Sequence, residues 1–198
     1  MKNILLGSHS LRRSQLLQQL NIPFNVVTIH YNESCPTPLR AGQITRYLAL
    51  QKAQHYVDLP TEDILITADT IVWAYDKTIG KYRQLGKPNS VSHARTMLHL
   101  LSGQTHTVYT SIALSYYVNN VIRTDILTDR TEVTFNDLSQ SDIENYLITN
   151  SPMDKAGAYG IQDPFALIAV RSIRGSFYNV MGLPIDLLYH HLLKLKAL

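Results

Sequence analysis

The chain has 198 residues, of which 45% are hydrophobic and 17% are charged, so it can bury the core of a single domain spanning residues 1–198. The formal net charge of +3 argues against a nucleic-acid-binding protein, which needs a clustered basic face. The lone Cys35 excludes an internal disulfide, and no apolar run is long enough to span a membrane. Because Arg12-Arg13 follow the first apolar run, whereas a signal peptide has its positive charge first, we expect a cytoplasmic protein.

The N-terminal part of the chain predicts strands that alternate with helices. Ser10 is a suitable N-cap for a helix that ends near Asn21, because leucines recur on one face of that segment. A second helix is predicted over residues 41–57. Apolar runs predict strands over residues 3–6, 24–29 and 64–73.

The C-terminal part predicts a polar excursion, a hairpin and further helices. Residues 75–89 are rich in glycine and lysine, and Ser90 is predicted to cap the helix that follows them. Asn119-Asn120 indicates the turn of a hairpin whose second arm continues as strand to Phe135. The remaining expectations are a capping box of Ser141 and Glu144, a strand over residues 165–173 and a final helix opening at Pro184. Together these elements predict an α/β fold with a mixed sheet.

Two arginines stand at the beginning of the first predicted helix, in Ser8-His9-Ser10-Leu11-Arg12-Arg13. Cations there oppose the helix dipole, at a cost of about 0.3–1 kcal/mol each when exposed. An anion held by the helix N–H groups, the serines and the arginines would reverse that effect. Two solvated arginines are the alternative.

Three charged residues are candidates for acid–base or phosphate chemistry. Asp69 stands inside an apolar strand, where a carboxylate needs a partner and can serve as a general base or metal ligand. Lys52 lies on or beside the apolar face of its helix, and Glu33 lies in an otherwise uncharged loop. The alternatives are a structural aspartate, a lysine that extends to solvent and a surface glutamate.

Two glycine-containing segments complete the candidate site. Gly80 to Pro88 departs from a P-loop because Pro88 occupies the magnesium-binding Ser/Thr position, but it can present Lys87 to phosphate. Asp154 to Gln162 ends in an amide that can pair with the O4/N3 edge of uracil or thymine, unless it is a structural turn. The eight histidines show no metal-binding spacing.

Taken in order, these segments resemble the Maf family of nucleoside triphosphate pyrophosphatases over nearly the whole chain. The resemblance also includes Leu101 to His106 and Gly182-Leu183-Pro184. It implies a two-lobed fold with an elongated mixed sheet flanked by helices, and a cleft between the lobes. The run from Asp154 to Gln162 resembles the dTTP/UTP branch of the family rather than the branch acting on 7-methyl-GTP. The chain departs from the family pattern at Leu11, Asn32, residues 81–85 and Asp163-Pro164.

The resemblance also implies roles for individual residues. Asp69 matches the proton acceptor, and Glu33 with Asp69 would hold a divalent cation, Mg²⁺ or Mn²⁺. Lys52 and Lys87 would act on the phosphates. The remaining substrate-binding and specificity positions are Ser8, Arg12, Arg13, Thr70, Asp154 and Gln162.

The expected activity is hydrolysis of dTTP and UTP, with modified pyrimidine nucleotides as further candidates, to the monophosphate and pyrophosphate. The alternatives are a non-catalytic nucleotide-binding module in cell-division control and a pyrophosphatase for 7-methyl-GTP or other modified nucleotides. Carboxylates beside the phosphate site favour an enzyme, because a simple anion binder gains nothing from them. The expected partner is the nucleotide substrate, and neither nucleic acid nor a membrane is expected. Whether the chain forms a homodimer is a question that the sequence leaves open.

Overall fold

The computed structural model describes residues 2–31, 34–36, 38–149 and 152–198, and these form a seven-stranded sheet with helices. The strands are β1 (Asn3–Leu6), β2 (Phe24–Val26), β3 (Asp63–Asp76), β4 (Lys81–Leu85), β5 (Thr105–Val118), β6 (Val121–Phe135) and β7 (Val170–Arg174). The helices are α1 (Leu11–Gln19), α2 (Gly42–Gln54), α3 (Val91–Leu101), α4 (Gln140–Thr149), α5 (Ala166–Ala169), α6 (Phe177–Met181) and α7 (Ile185–Lys194). Short 3₁₀ turns lie at Pro152–Asp154 and Ala156–Ala158.

The sheet is mixed, which confirms the predicted α/β class. Its strand order is β2-β1-β3-β5-β6-β7, and β4 pairs with β3 outside this path. β1 runs parallel to both β2 and β3, whereas β3–β4 and β6–β7 are antiparallel pairs. In the described part of the chain, no helix is both long and apolar enough to cross a membrane.

The chain divides into two compact units. Unit 1 comprises residues 1–69, 110–129 and 182–198, and unit 2 comprises residues 70–109 and 130–181. In unit 1, a small apolar cluster joins β1, α2, β3 and β5 through residues such as Leu5, Ala49 and Leu65. In unit 2, a larger cluster surrounds α3 and includes Ala94, Met97, Leu98, Leu101, Val133, Phe135, Ile143 and Phe165.

Two local predictions are confirmed by the backbone. Ser90 caps α3, because its side-chain oxygen accepts a hydrogen bond from the His93 N–H at 3.1 Å. Asn119 and Asn120 both have positive φ, 51° and 60°, between β5 and β6. A two-residue turn of this kind matches the twist of the strands it joins, and asparagine tolerates the conformation well.

Three local predictions are wrong. Residues 81–85, inside the predicted polar excursion, form β4, whose pairing with β3 sets Tyr75 opposite Tyr82. A strand is predicted over residues 165–173, but residues 166–169 form α5 and the strand β7 begins at Val170. The cap of α4 is the reciprocal pair of Ser139 and Asp142, because Glu144 instead binds Arg95.

Candidate active site

A buried ion pair in unit 1 joins two of the residues singled out in the sequence. Lys52 on α2 and Asp69 on β3 approach to 2.7 Å between Nζ and Oδ1, and each side chain is only 12% exposed. The Lys52 ammonium also donates to the Ala68 carbonyl at 3.2 Å. An apolar strand can hold Asp69 because this positive partner offsets the cost of removing a carboxylate from water. The pair combines a candidate base with a cation that can bind phosphate.

An aromatic ring covers the same ammonium. Lys52 Nζ lies 5.3 Å from the centre of the Tyr31 ring, within the range of a cation–π contact. The Tyr31 ring lies in turn 6.1 Å from that of His55. Sequence reasoning missed Tyr31, since an aromatic residue in a loop carries no signal of what it covers. The ring narrows the positions that the Lys52 side chain can adopt.

The segment before α1 is organised by Arg13. Its Nη1 donates to Ser8 Oγ at 2.9 Å and its Nε donates to the Gly182 carbonyl at 2.8 Å. Ser8 Oγ also accepts from the Ser10 N–H at 3.3 Å. Arg13 is therefore not a solvated surface arginine, and it ties the end of β1 to the segment before α7. Arg12 is half-buried in the first turn of α1, where no acidic residue occurs.

The predicted site residues of unit 2 lie on β3 and on two loops. Thr70 follows Asp69 directly in β3 and is half-buried, whereas Lys87 is exposed in the loop after β4. The Gly157 N–H donates to the Gly86 carbonyl at 3.0 Å. This hydrogen bond brings the backbone beside Lys87 to the segment that contains Asp154 and Gln162.

The segment from Asp154 to Gln162 needs glycine at its centre. Gly157 has φ +70°, and a Cβ there would lie 2.8 Å from a methyl carbon of Val72. Asp154 accepts a hydrogen bond from Lys155 at 2.9 Å, and Gln162 is exposed to solvent. The structure therefore shows a fixed turn, and the binding role of the exposed Gln162 amide stays a prediction.

A buried hydrogen bond anchors the same segment from behind. His106 Nε2 and the Tyr159 hydroxyl lie 2.8 Å apart, and both rings pack edge-on against Phe135. Burial lowers the pKa of His106 to about 3, so its imidazole stays neutral at physiological pH. Burial also raises the pKa of Tyr159. Sequence reasoning missed this pair, although His106 shows one signal: it is two residues before the buried Val108 in β5 and so shares its face.

The metal prediction concerns Glu33 and Asp69. Glu33 lies outside the described residues. Among the residues that the structure describes, no three His, Cys, Asp or Glu side chains form a group suited to a metal ion. Magnesium in nucleotide enzymes needs only one or two carboxylates, because phosphate oxygens and water supply the other ligands. Asp69 fits that donor set.

Cys35 is a poor candidate for a nucleophile. The pKa of its thiol is raised, first by burial and then by the negative charge of Asp69. A raised pKa reduces the thiolate fraction at neutral pH, and the thiolate is the reactive form.

Comparison with known proteins identifies relatives along almost the full chain. The family model described as "Maf-like protein" matches residues 3–195. A protein of Bacillus cytotoxicus named dTTP/UTP pyrophosphatase is 43% identical over 192 residues, which is 97% of this chain and 95% of the relative. Proteins of the same name from Phocaeicola vulgatus and Bacteroides thetaiotaomicron are 43% and 41% identical over 194 residues, with the same coverage.

Proposed function

Because this chain belongs to the Maf family, we propose that it is a nucleoside triphosphate pyrophosphatase that converts dTTP and UTP to the monophosphate and pyrophosphate. The relatives that carry this activity in their names match the chain over nearly all of its length and theirs. The observation that carries the chemistry is the contact of 2.7 Å between Lys52 and Asp69, which are both largely buried.

The proposed reaction is attack of water on the α-phosphorus. A bond forms between the water oxygen and this phosphorus, and the bond to the bridging oxygen of pyrophosphate breaks. Asp69 accepts the proton that the water loses, as a general base does. One Asp69 oxygen already accepts from Lys52, so we assign the proton transfer to the other oxygen.

The positive groups of unit 1 bind the phosphates. Lys52 shares its ammonium between Asp69 and a phosphate oxygen, while the half-buried Arg12 adds a guanidinium. Arg13 holds Ser8 in place, so it acts on the substrate largely through that serine. Stabilising the charge that builds on pyrophosphate is the main contribution of these groups.

A divalent cation, Mg²⁺ or Mn²⁺, would be held by Asp69 and Glu33. When bound, it would neutralise negative charge on the phosphate oxygens and so make the phosphorus easier to attack. We assign no step to the ion beyond this electrostatic contribution.

In unit 2 we assign Lys87 to the phosphates and Thr70, Gln162 and Asp154 to the base and its surroundings. Gln162 can donate to O4 and accept from N3–H of uracil or thymine. Cytosine presents the reverse pattern, with an amine at position 4 and an unprotonated N3. An exposed amide on a fixed backbone therefore supports selection of UTP and dTTP over CTP.

The test is a panel of nucleoside triphosphates incubated with Mg²⁺ or Mn²⁺, with pyrophosphate and monophosphate measured separately. We expect stoichiometric monophosphate and pyrophosphate from UTP and dTTP, and none when a chelator replaces the metal. Release of inorganic phosphate with a diphosphate product would overturn the assignment of the cleaved bond. Binding without turnover would favour a nucleotide-binding module instead.

A further inference from the structure

Selection by Gln162 requires that its amide reaches the base from a fixed backbone position. The three residues before it, Tyr159, Gly160 and Ile161, are buried, whereas Gln162 itself is exposed. Burial thus fixes the backbone on one side of Gln162. What fixes the other side is the next residue, Asp163.

Asp163 is held by two side chains of unit 2. The Tyr146 hydroxyl donates to Asp163 Oδ2 at 3.0 Å, and Lys155 Nζ lies 3.7 Å from the same oxygen. The Asp163 and Lys155 side chains are only 14% and 11% exposed. Lys155 also binds Asp154 at 2.9 Å, so one ammonium contacts a carboxylate before Gln162 and another after it.

The Asp163 carboxylate also folds back over Gly160. A Cβ on Gly160 would lie 2.6 Å from both carboxylate oxygens, so a side chain there would displace the Asp163 carboxylate. The backbone closes in the same place, because the Asp163 N–H donates to the Gly160 carbonyl at 3.1 Å. Pro164 restricts the φ and ψ angles of Asp163, because Asp163 directly precedes a proline. Gln162 therefore lies within a short closed turn.

Tyr146 gives this turn a fixed support. It belongs to α4, is buried, and stacks on Phe165 with ring centres 4.1 Å apart. Burial and the charge of Asp163 both raise the pKa of Tyr146, so the phenol stays protonated and remains a donor.

We propose that Asp163 is a positioning residue for base selection: held by Tyr146 and Lys155, it fixes the backbone from which the Gln162 amide reaches the uracil or thymine edge. This inference rests on the proposed function. The residues that resemble the family pattern do not include Asp163, because this chain has Asp163-Pro164 where a glycine-rich stretch is usual. The proposal therefore goes beyond what the resemblance to the family implies.

The test compares kcat and KM for UTP and CTP across four variants. Asp163→Ala removes the carboxylate, and Asp163→Asn keeps an oxygen that accepts from Tyr146. Tyr146→Phe removes the hydroxyl but keeps the stacked ring. Glu144→Gln is the matched control, because it weakens the α3–α4 ion pair with Arg95 without touching the turn.

We expect Asp163→Ala to reduce the UTP-to-CTP ratio of kcat/KM by about 5- to 10-fold, the effect of a lost buried hydrogen bond. The change should appear mainly as a higher KM for UTP. Asp163→Asn should retain most of the ratio, Tyr146→Phe should lower it by about 2- to 3-fold, and Glu144→Gln should leave it unchanged.

The outcomes separate this inference from the function on which it rests. A wild-type enzyme that discriminates, combined with an unchanged ratio in Asp163→Ala, overturns the inference and leaves the activity intact. Equal losses of kcat on both nucleotides, with a lower melting temperature, also overturn it, because they indicate support of the fold alone. If Asp163→Ala does not fold, Tyr146→Phe decides in the same way. A wild-type protein that releases no pyrophosphate overturns the proposed function and this inference together.

Discussion

The proposed phosphate chemistry in unit 1 rests on side chains of regular elements, whereas the proposed base selection in unit 2 rests on irregular backbone. Lys52 belongs to α2 and Asp69 to β3, and one short contact fixes both. Gln162 follows two 3₁₀ turns and lies between Tyr159 and Asp163, whose side chains are hydrogen-bonded to His106 and Tyr146. The reaction step that all substrates share needs catalytic side chains held at fixed distances. The choice of base depends on a turn held by a few side chains, so a few substitutions there can change it.

This comparison predicts different kinetic signatures. Substitutions in the Lys52–Asp69 pair should lower turnover of every nucleotide alike. Substitutions around Gln162 should change the ratio between nucleotides and leave the best rate at saturation nearly intact.

The largest effect is expected from Asp69→Asn. The amide keeps the shape of the side chain but cannot accept the proton from water, so kcat should fall by about 10²- to 10⁴-fold for UTP and dTTP alike. Binding of UMP should be retained. The measurement is steady-state pyrophosphate release together with calorimetric titration of UMP.

The matched control is Asp63→Asn in the same strand. Asp63 is also buried and accepts a hydrogen bond from Asn3 at 2.9 Å, but it has no assigned part in the reaction. We expect it to affect stability more than kcat. Activity of Asp69→Asn within a few-fold of wild type would show that Asp69 is not the base.

A smaller but double effect is expected from Lys52→Ala. It removes a phosphate-binding cation and leaves a largely buried carboxylate without its ammonium, so both kcat/KM and the free energy of unfolding should fall. The loss of stability should be about 1–3 kcal/mol, since the pair retains some exposure to solvent.

A double variant separates the two effects. Lys52→Ala combined with Asp69→Asn removes both charges and should recover part of the lost stability without recovering any activity. The measurement is urea unfolding of the two single variants and the double variant. Additive losses of stability would mean that Lys52 and Asp69 do not interact as the 2.7 Å contact indicates.

Sequence reasoning reached unit 1 more completely than unit 2, for a physical reason. A charged residue in an apolar strand, such as Asp69, is visible as a conflict that some partner must resolve, and helix spacing suggested Lys52. The residues around Gln162 give no such sign. In the sequence, Tyr146 and Tyr159 resemble ordinary core aromatics. The hydroxyl partner of Tyr159, His106, is distant in the chain, and that of Tyr146, Asp163, lies on an irregular turn.

The same limit explains the errors in secondary structure. Residues 81–85 are polar and mostly exposed, and only pairing with β3 makes them a strand. Residues 166–169 are apolar in a run that suits a strand equally well, and such short runs cannot be distinguished by periodicity. Two features with strong local signals, the Ser90 cap and the Asn119-Asn120 turn, were predicted correctly.

The buried His106–Tyr159 hydrogen bond in unit 2 predicts that the stability of the protein depends on pH. The pKa of His106 is about 3 in the folded protein, below its ordinary value of 6.5, because it is buried. In the unfolded chain, His106 therefore binds a proton as the pH falls below about 6.5, whereas in the folded chain it does so only near pH 3. The free energy of unfolding should decrease in this window by up to about 1.4 kcal/mol per pH unit.

The variant His106→Asn isolates this contribution from that of the carboxylates. It should be less stable than the wild type at pH 7, because Tyr159 loses its partner, and the difference between the two proteins should shrink as the pH falls toward 5. Denaturant unfolding at a series of pH values measures both curves. Parallel curves would mean that His106 titrates normally and is not buried as described.

The smallest expected effect, and the most specific, is that of Gln162→Ala. The wild type should use UTP and dTTP with kcat/KM at least about tenfold above that for CTP, ATP or GTP, because an amide that a bound base covers without pairing costs about 1–3 kcal/mol. Removing the amide should reduce this gap toward unity by raising KM for the favoured bases, while kcat at saturation stays within a few-fold. Gln84→Ala, an exposed glutamine on β4 in the same unit, is the control and should preserve the gap. A variant Gln162→Ala that lost kcat on all nucleotides equally would place Gln162 with the chemistry of unit 1 and remove the contrast between the two units. A wild type that preferred CTP or 7-methyl-GTP would instead keep the contrast but assign the turn to a different base.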